Sequence, residues 1–153
     1  MEVALASWFD YRVNLIVPNV YWGMGDMHEC DLLIVSKAGY VTEVEIKISR
    51  ADLRKDIFKV HGHRSNWIKY LYFAVPENLE AAALEFAPER AGIIIVRDED
   101  NVPGVYPYRP KCRRIRAPTR IKNVSKMTDR DRYKVARLGA LRIWDLKRKL
   151  CGT

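Results

Sequence analysis

Residues 28–49 of the chain read HECDLLIVSKAGYVTEVEIKIS, and the remaining elements are predicted to be arranged around this stretch. A short apolar run at 31–35 and a longer run rich in β-branched residues at 40–48 are both typical of β-strands. The three residues between the runs, 37–39, end in a glycine, which predicts a hairpin loop with its last residue in the left-handed conformation. The stretch is therefore predicted to be a β-hairpin.

The length of this loop determines which residues of the two strands face each other. If Ser36 pairs with Tyr40, Asp31 lies opposite Glu45, and directly opposed residues of an antiparallel pair share a face with Cβ atoms ~5 Å apart. Lys47 lies on the face of Glu45 because side chains alternate along a strand. A slip of one residue would move Asp31 to the other face. The hairpin thus predicts a group of two carboxylates and one lysine.

This group is the set that metal-assisted phosphodiester hydrolysis requires. Converging carboxylates give an oxygen-rich site that suits Mg²⁺ or Mn²⁺. Lys47 would orient or help to deprotonate the attacking water and offset charge on the phosphate. The alternative is that Glu43, Glu45 and Lys47 form the solvated face of a strand, with the lysine paired to a glutamate. Glu43 is interpreted as a supporting or surface residue.

The spacing D-x(13)-E-x-K, formed by Asp31, Glu45 and Lys47, resembles the signature of the PD-(D/E)XK nuclease superfamily. The resemblance implies an α/β, restriction-endonuclease-like fold, in which a mixed central sheet in αβββαβ order is flanked by helices. It implies that Asp31, Glu45 and the backbone carbonyl of Ile46 are metal ligands and that Lys47 is the catalytic lysine.

Two further features of this resemblance concern the flanking segments. Many members carry an acid on the first helix, for which Glu2 is the candidate, and Cys30 stands where many members have proline. The helix after the hairpin often brings phosphate-contacting groups in this fold. The candidates that follow it here are Lys59, His61, His63 and Arg64, for which plain surface positions are the alternative. Tyr21 and Trp22 are predicted to pack in the core, with stacking on bases as the alternative.

The remaining patterns predict helices and strands on both sides of the hairpin. In chain order these are a helix at 2–13, an extended stretch at 14–17 broken by Pro18 and Asn19, a helix capped by Ser49 and running to about residue 60, a strand at 67–75, a helix at 77–86, a buried strand at 93–96, an irregular segment at 98–126, and a final helix capped by Thr128. The helix between two apolar strands favours parallel pairing of those strands.

Positive charge is concentrated in the last third of the chain. The net charge is +8, but residues 1–108 carry 11 Lys/Arg and 16 Asp/Glu, whereas residues 109–153 carry 16 and 3. A dense basic block predicts a polyanionic partner, most simply DNA or RNA, with a solvated tail as the alternative. The candidate phosphate contacts are Arg113, Arg114 and Arg116. The final helix adds basic residues and an apolar stripe formed by Tyr133, Ala136, Ala140, Ile143 and Trp144.

Length and composition predict one globular domain of 153 residues, with a core at about 2–97 and a basic extension at about 98–153. No signal-peptide pattern is evident. Three scattered cysteines predict free thiols in a reducing, cytoplasmic location. A zinc site from His28-x-Cys30 and His61-x-His63 is an alternative that the spacing does not require.

We therefore predict a Mg²⁺-dependent (or Mn²⁺-dependent) endonuclease of the PD-(D/E)XK type that acts on DNA. Small size and a basic face also resemble the Holliday-junction resolvases of this superfamily, so a homodimer is compatible. Phage and mobile-element endonucleases are equally compatible. The alternatives are a non-catalytic nucleic-acid-binding protein, or a DNA-repair adaptor, that keeps the nuclease fold. The sequence does not distinguish DNA from RNA.

Overall fold

The structure is a computed structural model that describes residues 1–20, 29–56, 65–97 and 111–152. Its elements in chain order are α1 (Glu2–Trp8), β1 (Leu15–Val20), β2 (Cys30–Val35), β3 (Val41–Ile46), α2 (Arg50–Asp56), β4 (Ile68–Pro76), a 3-10 turn (Glu77–Leu79), α3 (Glu80–Phe86), β5 (Gly92–Arg97), β6 (Lys111–Arg116) and α4 (Asp129–Cys151). The predicted α/β class is confirmed.

The strands form one mixed sheet in the order β1-β2-β3-β4-β5-β6. β3, β4 and β5 run parallel to one another, whereas β1, β2 and β6 pair antiparallel with their neighbours. The parallel pairing of β4 and β5 across α3 confirms the prediction made from the helix between two apolar strands. The hairpin therefore lies inside the sheet, with β2 and β3 flanked on both sides.

Helices cover both faces of this sheet. On one face, Val135 of α4 packs with Leu33 over β1 and β2, and Leu53 of α2 packs with Phe73 over β4 and β5. On the other face, Leu5 of α1 packs with Val44. Because β2 is buried on both faces, it needs apolar residues at nearly every position, as its sequence CDLLIV shows.

Two predictions about the sheet were wrong. Pro18 and Asn19 lie within β1, and Pro18 is opposite Leu32; proline is tolerated there because β1 is an edge strand. β6 lies in the segment predicted to be irregular, and its basic sequence suits the opposite edge of the sheet. Met127 and Val135, from the basic extension, pack into the hydrophobic core beside β1 and β2.

α4 begins at the predicted capping box of Thr128 and Asp131, but it buries a different face from its apolar stripe. The five stripe residues are all exposed: Tyr133, Ala136, Ala140, Ile143 and Trp144. The buried side is formed by Val135 and Leu138, together with Gly139. A Cβ atom on Gly139 would lie 3.3 Å from Val17, so the glycine allows the helix to approach β1 closely.

Two hydrogen bonds define the direction of α4 along β1. Near its start, Arg132 donates to the carbonyl of Lys37 in the hairpin turn (3.0 Å), and further on Arg142 donates to the carbonyl of Asn19 (2.7 Å). The helix therefore runs from the hairpin turn towards the end of the sheet where β2 begins. Among the helices in the described ranges, α4 included, none is both long and apolar enough to cross a membrane.

Candidate active site

The hairpin turn produces the predicted register. Gly39 has φ +82°, and the amide of Ser36 donates to the carbonyl of Tyr40 at 2.9 Å. Leu33 pairs with Glu43, as predicted, and continuing this register places Asp31 opposite Glu45. The amide of Ile46 donates a hydrogen bond to Oδ2 of Asp31 at 2.7 Å, so the aspartate reaches across to β3. The structure thus brings Asp31 to the end of β3 that carries Glu45.

The polar face of β3 is not a solvated face. Glu43, Glu45 and Lys47 are 0%, 2% and 4% exposed, respectively. Buried charges are costly unless each is compensated by partners in the protein or by a bound ion. This burial argues against the alternative of a solvent-facing strand. Glu43, for which a surface position was one interpretation, lies inside the protein.

Lys47 lies between two buried carboxylates. Its Nζ is 2.8 Å from Oε2 of Glu45 and 3.0 Å from Oδ1 of Asp56. Burial alone would lower the pKa of Lys47, but Glu45 and Asp56 outweigh burial and raise the pKa above its ordinary value. The side chain is therefore an ammonium at neutral pH in this arrangement. It can donate hydrogen bonds and stabilise negative charge.

Asp56 was not predicted as a site residue. It lies on α2, three residues after the buried Leu53, and both side chains point towards the sheet. A sequence signal was present, because residues three apart share a face of a helix and an acid on an apolar face requires a partner. The partner lies on another element, so the pairing becomes visible only in the folded chain.

The pKa of Cys30 reflects the negative charge of the side chains around it. Its thiol is buried at the start of β2, and burial together with the nearby carboxylates of Glu43, Glu45 and Asp31 raises its pKa. Three carboxylates, those of Asp31, Glu43 and Glu45, thus lie near Cys30 on β2 and β3, while Glu45 and Asp56 contact Lys47. Such a surplus of carboxylates favours the binding of a cation.

The backbone of Ile46 is oriented towards the same space. The amide of Lys47 donates to the carbonyl of Ala74 on β4 at 3.0 Å. Because N–H and C=O point in opposite directions in a trans peptide unit, the carbonyl of Ile46 points away from β4, to the side of Asp31. Asp31, Glu45 and this carbonyl are an oxygen-only donor set, which is the chemistry that Mg²⁺ and Mn²⁺ prefer.

A metal ion at this position would need ligands from outside the protein. In the part of the chain that the structure describes, no three His, Cys, Asp or Glu side chains are arranged to hold a metal ion. Mg²⁺ is commonly held by one or two carboxylates, with water and phosphate oxygens completing its octahedron. Two carboxylates and one carbonyl agree with that mode of binding.

Comparisons with known proteins place the fold and nothing further. No protein-family model matches the chain, and no curated protein matches it. Among solved structures, the SPO1766 protein of unknown function from Silicibacter pomeroyi is similar, with a TM-score of 0.58 and 16% sequence identity. The similarity covers 96% of this chain and 86% of that chain. At this identity, the likeness shows a shared fold alone.

Several predicted site residues lie away from the hairpin or outside the described ranges. Glu2 is exposed on α1, whose buried residues pack on the opposite face of the sheet, so the structure does not bring it to Asp31 and Glu45. The structure does not describe Tyr21, Trp22, His28, Lys59, His61, His63 and Arg64.

The three arginines of β6 differ from one another. Arg113 forms a 2.7 Å ion pair with Glu80. Arg116 is half-buried and donates to the carbonyls of Ala87, Pro88 and Ala91, so its contacts hold the segment after α3 in place. Burial lowers the pKa of Arg116. Arg114 is exposed. β6 is three strands from β3, or roughly 14 Å, so these residues are not part of the hairpin site.

Proposed function

We propose that this chain is a Mg²⁺- or Mn²⁺-dependent nuclease that hydrolyses phosphodiester bonds in DNA. The observation that carries the proposal is the convergence of Asp31, Glu45 and Lys47 at the adjoining ends of β2 and β3. The element order from α1 to β4 adds support, because helix, three strands, helix, strand is the order implied by the resemblance to PD-(D/E)XK nucleases.

Asp31, Glu45 and the carbonyl oxygen of Ile46 would hold the metal ion. When bound, such an ion lowers the pKa of a coordinated water and offsets charge on the phosphate. The hydrogen bond from the amide of Ile46 fixes the carboxylate of Asp31 before any ligand arrives. Pre-positioned groups of this kind avoid reorganisation during the reaction.

Lys47 would act as a hydrogen-bond donor beside the reacting phosphate. An ammonium has three N–H donors, and Glu45 and Asp56 account for two of them. The third can donate to a phosphate oxygen or to the attacking water, where the positive charge stabilises the negative charge that develops in the transition state. Asp56 would orient the lysine from the side of α2.

The basic residues would hold the nucleic-acid backbone next to this site. α4 packs on the same sheet face as Glu45 and Lys47, and its exposed cations include Lys134, Arg137 and Lys147. Arg114 of β6 remains a candidate for a more distant phosphate contact. Each phosphate neutralised by a cation releases counterions, so we expect DNA affinity to fall steeply with salt.

The test is cleavage of supercoiled, linear, single-stranded and branched DNA in Mg²⁺ or Mn²⁺, with EDTA as the control. Asp31→Asn and Glu45→Gln should abolish cutting and weaken binding of Mn²⁺, as followed by titration of the purified protein. Lys47→Ala should abolish cutting while Mn²⁺ still binds. Glu85→Gln, at an exposed ion pair on α3, is the matched control that should retain wild-type activity.

Two results would overturn the nuclease proposal. The first is the absence of metal-dependent cutting on all four substrates by a folded wild-type protein. The second is cutting that Asp31→Asn and Glu45→Gln leave unchanged. Retained DNA binding with no cutting would instead favour the non-catalytic nucleic-acid-binding alternative.

A further inference from the structure

The outward side of α4 carries aromatic and basic residues in one line. Residues at steps of 4, 7, 11, 14 and 15 along an α-helix lie on one face, because each residue turns the helix by about 100°. We call this line, which lies directly opposite the buried Val135, the outer stripe. It consists of Tyr133, Arg137, Ala140, Trp144, Lys147 and Arg148.

The two aromatic side chains of the outer stripe are largely exposed. Tyr133 is 71% exposed and Trp144 is 62% exposed. The two residues are separated by three helical turns, or roughly 16 Å. Nζ of Lys147 lies over the Trp144 ring, 5.3 Å from its centroid, so an ammonium lies against one face of the indole. An exposed aromatic ring beside a cation presents a stacking surface and a phosphate contact at the same place.

The outer stripe extends beyond the end of the sheet where the candidate active site lies. Arg142 donates to the carbonyl of Asn19. Asn19 lies between the pairs Pro18–Leu32 and Val20–Cys30, and so beside Asp31 across β1 and β2. Nine residues of α4 follow Arg142, which corresponds to about 14 Å of helix. Trp144 and Lys147 are therefore on the part of α4 that continues past the level of Asp31 at this end of the sheet.

Charge decides which partner suits this surface. Residues 129–151 contain eight Lys/Arg and three Asp, a net charge of +5. Pairing α4 with the same helix of a second copy would bring like charges together, which opposes association. A polyanion is attracted instead. A duplex backbone needs cations alone, whereas exposed rings between cations suit bases that are not stacked in a duplex.

We propose that the outer stripe of α4 binds single-stranded nucleic acid, with Trp144 and Tyr133 stacking on bases and Arg137 and Lys147 contacting phosphates. That the bound strand is the segment delivered to Asp31 and Glu45 rests on the proposed nuclease function, whereas the binding itself does not. The substrate class is then DNA with an unpaired stretch next to the bond that is cut.

The experiment measures binding by fluorescence anisotropy of a labelled oligothymidine and of a labelled duplex of equal length, in EDTA so that cutting does not interfere. Trp144→Ala should weaken binding of the single strand roughly 5- to 100-fold, as expected for loss of one stacked base. The matched control is Trp8→Ala on α1, which removes another exposed tryptophan (46% exposed) and should leave affinity unchanged. Lys147→Ala should reduce the slope of log affinity against log salt by about 0.7.

Each outcome separates the proposals. Loss of single-strand affinity in Trp144→Ala, but not in Trp8→Ala, supports the outer stripe as the binding surface even if the wild-type protein cuts no substrate. Unchanged affinity in Trp144→Ala, or an equal loss on the duplex, overturns it. A dimer in sedimentation velocity that Trp144→Ala dissociates, with single-strand affinity retained, overturns it in favour of an interface between copies.

Discussion

Replacing Lys47 by methionine tests whether a buried lysine lies between two buried carboxylates. The substitution keeps an unbranched side chain that is one atom shorter and removes the ammonium that lies 2.8 Å from Glu45 and 3.0 Å from Asp56. At an effective dielectric constant of about 20, unit charges at 3.0 Å attract by roughly 5–6 kcal/mol before desolvation is counted. The net cost of removing one partner from a buried ion pair is about 3–5 kcal/mol.

Asp56→Asn should cost less than Lys47→Met. The lysine keeps its contact with Glu45, and the amide oxygen of asparagine can still accept a hydrogen bond, so we expect a loss of about 1–3 kcal/mol. The exposed ion pair of Arg50 and Glu85 has a similar length, 2.8 Å, and Glu85→Gln should cost no more than about 1 kcal/mol because solvent screens it. The two ion pairs have similar lengths but differ in burial, so we expect different losses of folding free energy.

Urea unfolding at pH 7, followed by tryptophan fluorescence, measures these free energies. The expected order of destabilisation is Lys47→Met, then Asp56→Asn, then Glu85→Gln. The double variant of Lys47 and Asp56 should lose less than the sum of the two single variants, because they share one contact. If Lys47→Met is no less stable than Glu85→Gln, the buried arrangement of Lys47 is wrong. If Lys47→Met does not fold, the comparison of Asp56→Asn with Glu85→Gln remains decisive.

Three further predictions, two of them with a matched control variant, test the supporting structure by thermal unfolding. Gly39→Ala should cost more than about 1 kcal/mol, because φ is +82° and the new Cβ would lie 2.8 Å from the carbonyl oxygen of Met127; Gly152→Ala, with a left-handed φ in open space, should cost less. Thr128→Ala should cost about 1 kcal/mol through loss of the capping box of α4, and a loss near zero would contradict that cap. Arg116→Ala should lower the unfolding temperature, because Arg116 donates hydrogen bonds to the carbonyls of the segment after α3. Arg114 is exposed, so Arg114→Ala should leave the unfolding temperature unchanged. Equal effects of the two substitutions would contradict the structural role of Arg116.

The hairpin was predictable because its determinants are local. Alternation along 40–48 and a glycine at the end of a three-residue loop fix the strands, the turn and the register. The structure confirms the pairing of Leu33 with Glu43 and the left-handed Gly39. The placement of Asp31 near Glu45 follows from that register. The positions of these two carboxylates could therefore be predicted from the sequence of the hairpin alone.

The remaining features depend on contacts between distant parts of the chain. Asp56 faces Lys47 only because α2 packs over β4 and β5, and no spacing in the sequence encodes that packing. The face that α4 buries is decided at Gly139, where a missing side chain permits contact with Val17. The apolar stripe that the sequence shows lies instead on the exposed side of the helix. The segment of β6 forms a strand because it pairs with the edge of β5.

The hairpin turn has a second role as the attachment point of the C-terminal region. The amide of Met127 donates to the carbonyl of Gly39 at 2.8 Å, and Arg132 donates to that of Lys37. The turn that sets the alignment of Asp31 with Glu45 is thus the turn to which the start of α4 is fastened, while the far end of α4 reaches the opposite end of β2. A chain truncated before Met127 would lose positive charge. It would also lose the two hydrogen bonds that hold the hairpin turn, and with them support for the register of β2 and β3.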